Sequence, residues 1–464
     1  MNTHKPMNIA VILAGGTGSR MGASTPKQFL KVAGKMVIEH TVEVFEHHKR
    51  IDEIAVVVHP DYYGLVEEIV LKNHWKKVRK ILKGGNERYF SSLSAIEAYR
   101  QTSDANLIFH DAVRPLVSHR IIDDVIDALK DHNAVDVVVP ATDTIVQVDE
   151  VGNFVTHIPS RRMLRRGQTP QAFRLSTIKK AYEHALSDPT FKSTDDCGTV
   201  VKYLPEEPVF VVEGEESNMK LTYKEDIFLL EKLFQLRSFS SSRKMDFNQL
   251  RDKVIVVFGG NSGIGAEVAR LSSKYGAKVF CFSRSTTATD VSDLSQVSLA
   301  LKKTMEQAGH IDYIVNSAAL LYKEPLVTMD KDRMDAIIAT NFTGMVNVSL
   351  ASYPYLKQTR GQLLLYTSSS YTLGRPYYSL YSSTKAAVVN FMQAISQEWE
   401  SDGIRVNVIN PERTKTPMRT KNFGIEPENT LLSAESVAEV SIETLISNAT
   451  GQVIDVKLPK NNTE

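Results

Sequence analysis

Tyr381 and Lys385 stand four residues apart in the second half of the chain. On a helix, this spacing places both side chains on one face. An ammonium group beside a phenol stabilises the phenolate, so we expect the pKa of Tyr381 to be lowered toward the working pH. A tyrosine with that property is suited to act as the general acid in the reduction of a carbonyl group. Such pairs also occur on ordinary helices, so this pair indicates an active site only in combination with the motifs around it.

One such motif is the glycine-rich segment 259–265, which reads Gly-Gly-Asn-Ser-Gly-Ile-Gly and follows the apolar run Val254–Phe258. A loop of this kind between a strand and a helix predicts a pyrophosphate at the helix N-terminus. Ser283 and Arg284 end the next apolar run, where a cation suits the 2′-phosphate of NADP. We therefore expect NADP rather than NAD, the alternative being an exposed loop arginine.

The first half of the chain has a different glycine-rich segment, which reads Ala14-Gly15-Gly16-Thr17-Gly18. Glycines without Cβ atoms let backbone N–H groups approach phosphates closely. No Gly-Lys-Ser/Thr follows, so this is not a Walker A loop. Arg20 and Lys27 could neutralise the charge that develops during substitution at the α-phosphorus of a nucleoside triphosphate. The alternative for the glycines alone is a tight turn with two solvated cations.

Three further motifs make that alternative weaker. The segment Gly84–Arg88 could hold a base and a ribose. Asp111 ends a predicted strand, at the edge where ligands bind in open α/β sheets, and is a reasonable Mg²⁺ ligand. Lys220 adds a cation near the end of this half. Together these residues predict a site for a nucleotide and a divalent cation.

Short β-branched runs alternate with helical patterns along the whole chain, and these runs are the elements that must position the motifs. The predicted strands are Ile9–Leu13, Ile54–Val58, Leu107–His110, Val135–Pro140, Val254–Phe258, Lys278–Phe282, Tyr313–Asn316, Gln362–Tyr366 and Val406–Ile409. Continuous apolar runs with helices between them predict mostly parallel sheets covered by helices on both faces. We therefore predict the α/β class.

The chain is 464 residues long, which exceeds what one hydrophobic core usually supports, so we expect two domains. We predict domains at 1–237 and 248–464, joined by a serine-rich basic linker at 238–247, with a projecting arm at about 142–174. These bounds follow from the change of glycine motif and from the mixed signals of the arm segment.

Charge and cysteine content narrow the partners. The net charge is +1 without a sustained basic stripe, which argues against nucleic acid. The apolar runs are too short for a membrane span, and we find no targeting signal. Two cysteines, Cys197 and Cys281, do not make a disulfide framework. We therefore expect small-molecule substrates, no membrane partner and a cytoplasmic location.

The order of the motifs in residues 7–235 resembles the cytidylyltransferases that make CDP-methylerythritol and CDP-ribitol. The resemblance implies a Rossmann-like nucleotidyltransferase fold in which Arg20 and Lys27 stabilise the pentavalent phosphorus. The residues implied to bind CTP are Ala14, Gly15, Gly16, Gly85, Arg88, Ser92, Ala112 and Arg114. Those implied to receive the phosphate of the second substrate are Arg161, Thr194 and Lys220.

This first resemblance has one departure and one consequence for assembly. The methylerythritol enzymes usually have an Asp-Arg pair where this chain has Ser160-Arg161. The cation is kept, but the identity of the polyol phosphate stays open. The projecting arm of the family commonly exchanges across a dimer, so a homodimer or larger homo-oligomer is expected.

Residues 250–460 resemble the short-chain dehydrogenase/reductases, which implies a second Rossmann-like domain. The resemblance implies Tyr381 as proton donor, Lys385 as the group that lowers its pKa and holds the nicotinamide ribose, and Ser368 as the residue that polarises the carbonyl. Asn341 would anchor a proton-relay water. The residues implied to bind NADPH are Gly259, Asn261, Gly263, Ile264, Gly265, Ser283, Arg284 and Asn316. Asn410-Pro411-Glu412 replaces a usual Asn-Pro-Gly near the nicotinamide. The segment after Thr416 is also short, so we expect a reduced substrate lid.

The two halves together resemble the bifunctional ribulose-5-phosphate reductase/CDP-ribitol pyrophosphorylases of bacterial capsule synthesis. That resemblance implies CTP, a pentulose phosphate and a pentitol phosphate as the small-molecule partners, and consecutive reduction and cytidylyl transfer. Two alternatives stay open. One is a methylerythritol-phosphate cytidylyltransferase fused to an unrelated reductase, and the other is a second domain that serves only for binding or dimerisation.

Overall fold

The computed structural model describes residues 6–16, 25–85, 87–102, 104–193, 195–238 and 246–458. The chain divides into two compact units, Met1–Leu230 and Glu231–Glu464. Of the predicted linker 238–247, only residue 238 and the residues from 246 onward are described. Each unit is presented by itself below.

The first unit contains a seven-stranded sheet in the order β11-β7-β10-β6-β1-β4-β5, in which only β10 runs antiparallel to its neighbours. Two short two-stranded ribbons, β2-β3 and β8-β9, stand outside it. The strands are β1 Met7–Ala14, β2 Lys31–Val32, β3 Lys35–Met36, β4 Glu53–Val58, β5 Val78–Lys83, β6 Ala105–Asp111, β7 Ala134–Pro140, β8 Gln147–Val148, β9 Val155–His157, β10 Arg165–Arg174 and β11 Val209–Glu213. The helices are α1 Val37–His47, α2 Tyr63–Lys72, α3 Arg88–Ala98, α4 His119–Ala128, α5 Leu175–Leu186, α6 Asp196–Tyr203 and α7 Glu225–Ser238, the last of which continues into the second unit.

The central strand β1 shows why helices cover both faces of this sheet. Successive side chains of a strand point to opposite faces. Ala10 and Ile12 belong to one buried cluster, which α1 and α4 complete, while Ile9 and Val11 belong to a second cluster on the opposite face. A continuous apolar run is therefore required, because polar residues at either set of positions would lie in a core.

The predicted arm at 142–174 is too long. Its last ten residues, Arg165–Arg174, form β10, which pairs with β6 on one side and β7 on the other and is buried from Gln168 to Phe173. The polar sequence of this strand conceals its position, because Gln168 and Gln171 have hydrogen-bond partners inside the domain. The exposed ribbon β8-β9 lies in the earlier part of the predicted arm.

The second unit contains a six-stranded, fully parallel sheet in the order β13-β12-β14-β15-β16-β17. Its strands are β12 Val254–Phe258, β13 Lys278–Phe282, β14 Tyr313–Asn316, β15 Gln362–Tyr366, β16 Arg405–Pro411 and β17 Val453–Val456. Its helices are α8 Gly263–Lys274, α9 Arg284–Thr287, α10 Leu294–Ala308, α11 Lys331–Ile338, α12 Gly344–Thr359, α13 Ser379–Glu398, α14 Pro417–Phe423 and α15 Ala434–Ile446.

The same alternation along β12 separates two cores in this unit. Val256 and Phe258 join the cluster that includes α10, α12 and α13, whereas Ile255 and Val257 join the cluster that includes α8 and α15. The predicted fold class, α/β with two Rossmann-like domains covered on both faces, is confirmed. Among the described residues, no helix combines the length and the apolar character needed to cross a membrane.

Candidate active sites

The first candidate site lies at the carboxyl edge of the first sheet. Leu13 of β1 is level with Asp111 of β6, and Ala14 is level with Val58 of β4. Parallel strands that end together bring the loops after them to one place. Gly15, Gly16, the loop after β5 and Ala112 are therefore neighbours because of the strand register.

Gln28 shapes the start of the first glycine loop. Its side-chain amide donates hydrogen bonds to the carbonyl oxygens of Ala14 and Gly16, at 2.8 and 2.9 Å. Gln28 is buried, so these bonds are protected from water. The sequence analysis missed this role, although Gln28 directly follows the predicted catalytic Lys27. Arg20 and the rest of segment 17–24 lie outside the described residues.

The loop at Gly84 and Gly85 packs closely against the start of α3. A Cβ atom on Gly84 would lie 2.7 Å from the Ser91 hydroxyl, and one on Gly85 would overlap the Phe90 side chain. A Cβ on Gly15 would also lie 2.8 Å from the Ser91 hydroxyl. The glycines therefore let both loops approach the start of α3, where Arg88 and the buried Ser92 stand.

Asp111 is the centre of a charged cluster. The Arg88 guanidinium lies 2.6 Å from its carboxylate, the Lys220 ammonium 2.9 Å and Arg114 Nε 3.5 Å. Burial alone would raise the pKa of Asp111, but Arg88, Lys220 and Arg114 hold that pKa well below its usual range. The structure thus brings together four predicted site residues from three separate segments, and it gives the cluster a net excess of cations.

Arg88 has a second acidic partner, Asp196, which the sequence analysis missed. Asp196 is fully buried, 3.2 Å from the Arg88 guanidinium, and accepts a 2.7 Å hydrogen bond from the Tyr182 hydroxyl. Arg88 Nε is itself buried and donates no hydrogen bond within the described part of the chain. Two carboxylates therefore hold this guanidinium in place. The only signal in the sequence is the acidic pair Asp195-Asp196 beside the predicted Thr194.

Hydrogen bonds to backbone carbonyl groups hold the segment around Lys220 beside the segment that contains Arg114. The Arg114 guanidinium donates to the carbonyl of Asn218 at 2.8 Å, and the amide of Leu221 donates to the carbonyl of Val113 at 2.9 Å. These bonds lay the segment around Lys220 along the loop that follows β6. A site built from residues this far apart in sequence depends on that pairing.

Two of the three residues predicted to bind the second substrate's phosphate are not seen at this cluster. Arg161 is exposed, and within the described residues its guanidinium donates to the carbonyl of Thr142, at 3.1 Å, rather than joining the Asp111 cluster. Thr194 lies outside the described residues. Only Lys220 of that set is placed beside Asp111.

The second candidate site begins at the glycine loop after β12. Gly259 and Gly263 have φ values of +79° and +57°, which residues with side chains rarely adopt. A Cβ atom on Gly265 would lie 2.5 Å from the Gly259 carbonyl oxygen and would overlap the Ser317 hydroxyl. The loop can therefore form only with glycine at these positions, and it leaves the N-terminus of α8 open to an anion.

Arg284 follows β13 at the same edge of the sheet. Ser283 caps the short helix α9 by accepting a hydrogen bond from the Thr286 amide. The Arg284 side chain is about half exposed (55%) and lies 3.9 Å from the carboxylate of Asp290. Asn261 donates to the Ser285 hydroxyl at 2.6 Å, which connects the glycine loop to this segment. The predicted cofactor residues of both loops are thus neighbours.

Tyr381 and Lys385 share one face of α13, as predicted. The Lys385 ammonium lies 5.6 Å from the centre of the Tyr381 ring and donates to the Tyr366 carbonyl oxygen at 2.9 Å. The expected lowering of the pKa of Tyr381 is wrong. Burial raises the pKa of Tyr381 to about 12, against the opposing effects of the Ser368 hydroxyl and Arg419, and burial lowers the pKa of Lys385 to about 8.

Asn341 lies in a π-helical turn, Ala339–Thr343, between α11 and α12. Its side chain accepts from the Leu320 amide and donates to the Leu320 carbonyl and to the Thr384 hydroxyl, at 2.7, 2.9 and 3.3 Å. Single π turns often mark functional sites. Asn316 ends β14, and its side chain accepts from the Ala318 amide.

One cavity joins the other predicted residues of this site, whereas Asn316 and Asn341 are not part of its lining. It has a volume of about 660 Å³ and is lined by Gly259, Arg284, Ser368, Tyr381 and Lys385 among others. Its lining also includes Arg375, Arg413 and Arg419, which the sequence analysis did not select. A cavity of this size suits a cofactor together with a small substrate.

The folds and the two sites define a two-domain enzyme, a nucleotidyltransferase followed by an oxidoreductase. The family model of 2-C-methyl-D-erythritol 4-phosphate cytidylyltransferases matches residues 8–236, and that of the short chain dehydrogenases matches residues 253–425. A bifunctional ribulose 5-phosphate reductase/CDP-ribitol pyrophosphorylase of Haemophilus influenzae is 49% identical over 463 residues, covering 99% of this chain and 97% of its own. The chain therefore belongs to the family of bifunctional ribulose 5-phosphate reductase/CDP-ribitol pyrophosphorylases, and the resemblance found from its motifs is confirmed.

Two relatives match the first half alone. A 2-C-methyl-D-erythritol 4-phosphate cytidylyltransferase of Thermobifida fusca is 44% identical over 235 residues, which are 50% of this chain and 94% of that protein. A ribitol-5-phosphate cytidylyltransferase of Lactiplantibacillus plantarum is 37% identical over 237 residues, which are 50% of this chain and 100% of that protein. The chain is a bifunctional enzyme with a cytidylyltransferase domain and a short-chain dehydrogenase domain, the latter of a class that uses a nicotinamide cofactor.

Proposed function

We propose that this enzyme reduces D-ribulose 5-phosphate to D-ribitol 5-phosphate with NADPH and then transfers CMP from CTP to that product, giving CDP-ribitol and pyrophosphate. The observation that carries the proposal is the similarity to the Haemophilus enzyme, which extends over 99% of the chain and so includes both sites. A reductase that makes a polyol phosphate has an evident use beside a domain that activates one.

In the reduction, the residues that line the cavity of the second candidate site act on the ketone. NADPH, when bound, supplies the hydride for the carbonyl carbon. The glycine loop fits the pyrophosphate of NADPH, because it leaves the N-terminus of α8 open to an anion. Gly265 allows the loop to pack this tightly, since a Cβ atom there would lie against the backbone of Gly259. Ser368 donates a hydrogen bond to the carbonyl oxygen, Tyr381 gives that oxygen its proton, and the Lys385 ammonium stabilises the phenolate that remains.

In the transfer, an oxygen of the ribitol phosphate attacks the α-phosphorus of CTP, and pyrophosphate leaves. Arg20 and Lys27 neutralise the charge that develops on the phosphorus oxygens. The excess of cations around Asp111 supports a triphosphate site, because Arg88, Arg114 and Lys220 gain an anionic partner there. Mg²⁺ would be held by Asp111 with phosphate oxygens, because this ion is commonly bound by one or two carboxylates together with the phosphates of a substrate.

The choice of NADPH over NADH rests on Arg284. Its side chain is half exposed on the cavity wall, beside Asn261 and Ser285, where a 2′-phosphate could accept several hydrogen bonds. We expect Arg284→Ala to weaken NADPH use about 10- to 150-fold, because a charge-assisted contact is lost, and to change NADH use little. Steady-state kinetics with both cofactors measure this. Equal losses with the two cofactors, or a wild type that prefers NADH, would overturn the assignment.

One coupled assay tests the whole proposal. The protein is incubated with ribulose 5-phosphate, NADPH, CTP and Mg²⁺, and the nucleotide product is identified by mass spectrometry. CDP-ribitol formation that depends on NADPH is expected. Parallel transfer reactions with supplied ribitol 5-phosphate and methylerythritol 4-phosphate separate the main proposal from the methylerythritol alternative. Transfer without any NADPH oxidation would show that the second domain serves only for binding or dimerisation.

The wider setting is also a proposal. Capsule or cell-envelope polysaccharide is the expected use of CDP-ribitol, and the free thiols of Cys197 and Cys281 suit a reducing cytoplasm. A homodimer or larger homo-oligomer is supported by large apolar side chains exposed on the segment around β8-β9, such as Val151, Phe154 and Met163. Light scattering of the purified protein would measure the oligomeric state.

A further inference from the structure

Three arginines line the cavity that contains Tyr381, and the reaction chemistry assigned so far uses none of them. Arg375 lies in the loop that leads into α13, Arg413 follows β16, and Arg419 lies on α14. They come from three separate segments, so the cavity itself brings them together. A site with three guanidinium groups is costly to assemble unless anions offset their repulsion.

Among the described residues, only one of the three arginines is neutralised by a carboxylate. Arg419 donates from Nε and Nη2 to the carboxylate of Glu426, at 2.6 and 2.8 Å, and lies 4.5 Å from the centre of the Phe423 ring. The guanidinium groups of Arg375 and Arg413, by contrast, have neither an ion pair nor a hydrogen bond within the described residues. Two cations on the wall of one cavity are therefore available to an anionic ligand.

The position of Arg375 is tied to the catalytic helix. Its backbone amide donates to the Ser382 hydroxyl at 3.4 Å, next to Tyr381 on α13. The charge of Arg419 also reaches the proton donor, because it opposes the rise in the pKa of Tyr381 that burial causes. The part of the cavity wall that carries Arg375 is thus connected to the helix that carries the proton donor.

We propose that Arg375 and Arg413 bind the phosphate group of the ketose phosphate while its carbonyl group lies at Ser368 and Tyr381. Guanidinium groups bind phosphate oxygens through paired, charge-assisted hydrogen bonds. Arg419 also lines the cavity, but its guanidinium is held by Glu426 and is not assigned to the phosphate. This inference rests on the proposed reduction of a pentulose phosphate, and it explains how the site distinguishes that substrate from a free sugar.

The test compares ribulose 5-phosphate with ribulose in NADPH oxidation by wild type, Arg375→Ala and Arg413→Ala. We expect each variant to raise the KM for ribulose 5-phosphate about 10- to 150-fold, while kcat/KM for ribulose and the KM for NADPH change little. Inorganic phosphate should inhibit the wild type competitively and the variants less. Arg413→Lys should give an intermediate KM, because it keeps the charge but loses the planar fork.

Controls separate this inference from folding and from the proposed function. Arg270→Ala removes an exposed arginine of α8 that pairs with Glu267 and Glu435, and it should leave all kinetic constants unchanged. An unchanged KM for NADPH reports that the second unit of each variant is folded, because the cofactor binds in the same cavity. If the wild type does not reduce ribulose 5-phosphate, the proposed function fails and this inference falls with it. If it does, unchanged KM values, equal losses with ribulose, or a raised KM for NADPH would overturn the phosphate site alone.

Discussion

At the scale of single residues, burial controls the protonation of the reductase pair. Tyr381 has its pKa raised to about 12 and Lys385 has its pKa lowered to about 8, in both cases chiefly because burial disfavours the charged form. Tyr381 therefore keeps its proton across the range in which Lys385 changes charge. The lysine, not the tyrosine, sets the pH response that we expect from the enzyme without substrate.

This leads to a prediction for the pH profile of reduction. Below pH about 8 Lys385 is charged and can stabilise the phenolate, and above that pH it is neutral, so kcat/KM should fall as the pH rises through about 8. NADPH oxidation measured across this range checks the profile. Cytidylyl transfer by the same protein should lack this inflection. A reductase rate that is flat until the tyrosine itself titrates would contradict the role of Lys385.

A second residue-scale prediction concerns the buried partners of Arg88. Asp196→Ala should lower the free energy of unfolding by about 3 kcal/mol, because it leaves a buried guanidinium short of one carboxylate. Tyr182→Phe removes one hydrogen bond to the same carboxylate and should cost only about 1 kcal/mol. Urea denaturation gives both values.

The matched control for these variants is Asp127→Asn, which removes a carboxylate that is about half exposed and pairs with Arg50 and Lys130. Exposed ion pairs contribute little, so its effect should stay below about 1 kcal/mol. An equal loss for Asp196→Ala and Asp127→Asn would show that Asp196 does not hold Arg88 in a buried network.

At the scale of elements, the loop between β12 and α8 allows a sharp stability test. Gly265→Ala places a methyl group against the Gly259 carbonyl, which is backbone and cannot rotate away. Such overpacking typically costs about 1–3 kcal/mol. We therefore expect a lower melting temperature of the second unit together with weaker NADPH binding, measured by thermal unfolding and by fluorescence titration.

Gly374→Ala is the control in the same unit, because a Cβ there meets nothing within 4 Å. Its melting temperature should match that of the wild type. If Gly265→Ala bound NADPH as tightly as the wild type, the glycine loop would not be the pyrophosphate site.

At the scale of the whole molecule, the two candidate sites are built within separate compact units. Tyr381→Phe should abolish reduction but leave cytidylyl transfer from supplied ribitol 5-phosphate nearly intact. Lys27→Ala should lower transfer on the order of 100-fold while NADPH oxidation persists. Neither variant alone should convert ribulose 5-phosphate to CDP-ribitol at an appreciable rate.

Mixing the two variants provides the decisive measurement. The mixture should produce CDP-ribitol after a lag, because ribitol 5-phosphate made by the Lys27 variant can diffuse to the transferase site of the Tyr381 variant. Chromatography of the nucleotide products follows this. A mixture that stays inactive, although each variant retains its own partial reaction, would contradict free exchange of the intermediate.

Much of the architecture and of the site was readable from local patterns. The apolar runs predicted strands such as β12 and β14 correctly, because a strand buried on both faces must be apolar throughout. The glycine spacing at 259–265 and the four-residue spacing of Tyr381 and Lys385 are likewise local, since each lies within one turn or one helix. The sequence by itself therefore determined the α/β class, the two chemistries and most of their candidate residues.

The tertiary structure decided what depends on contacts between distant segments. Arg165–Arg174 is polar, yet its side chains find partners inside the domain and it becomes the strand β10. Asp196 and the cavity arginines belong to no recognisable motif, and their roles become visible only from the residues that lie beside them in the folded protein. The pKa of Tyr381 shifts opposite to expectation because desolvation, which depends on everything packed around the side chain, outweighs the Ser368 hydroxyl and Arg419. A spacing can show which groups face each other, but only the packed domain shows how much water they have lost.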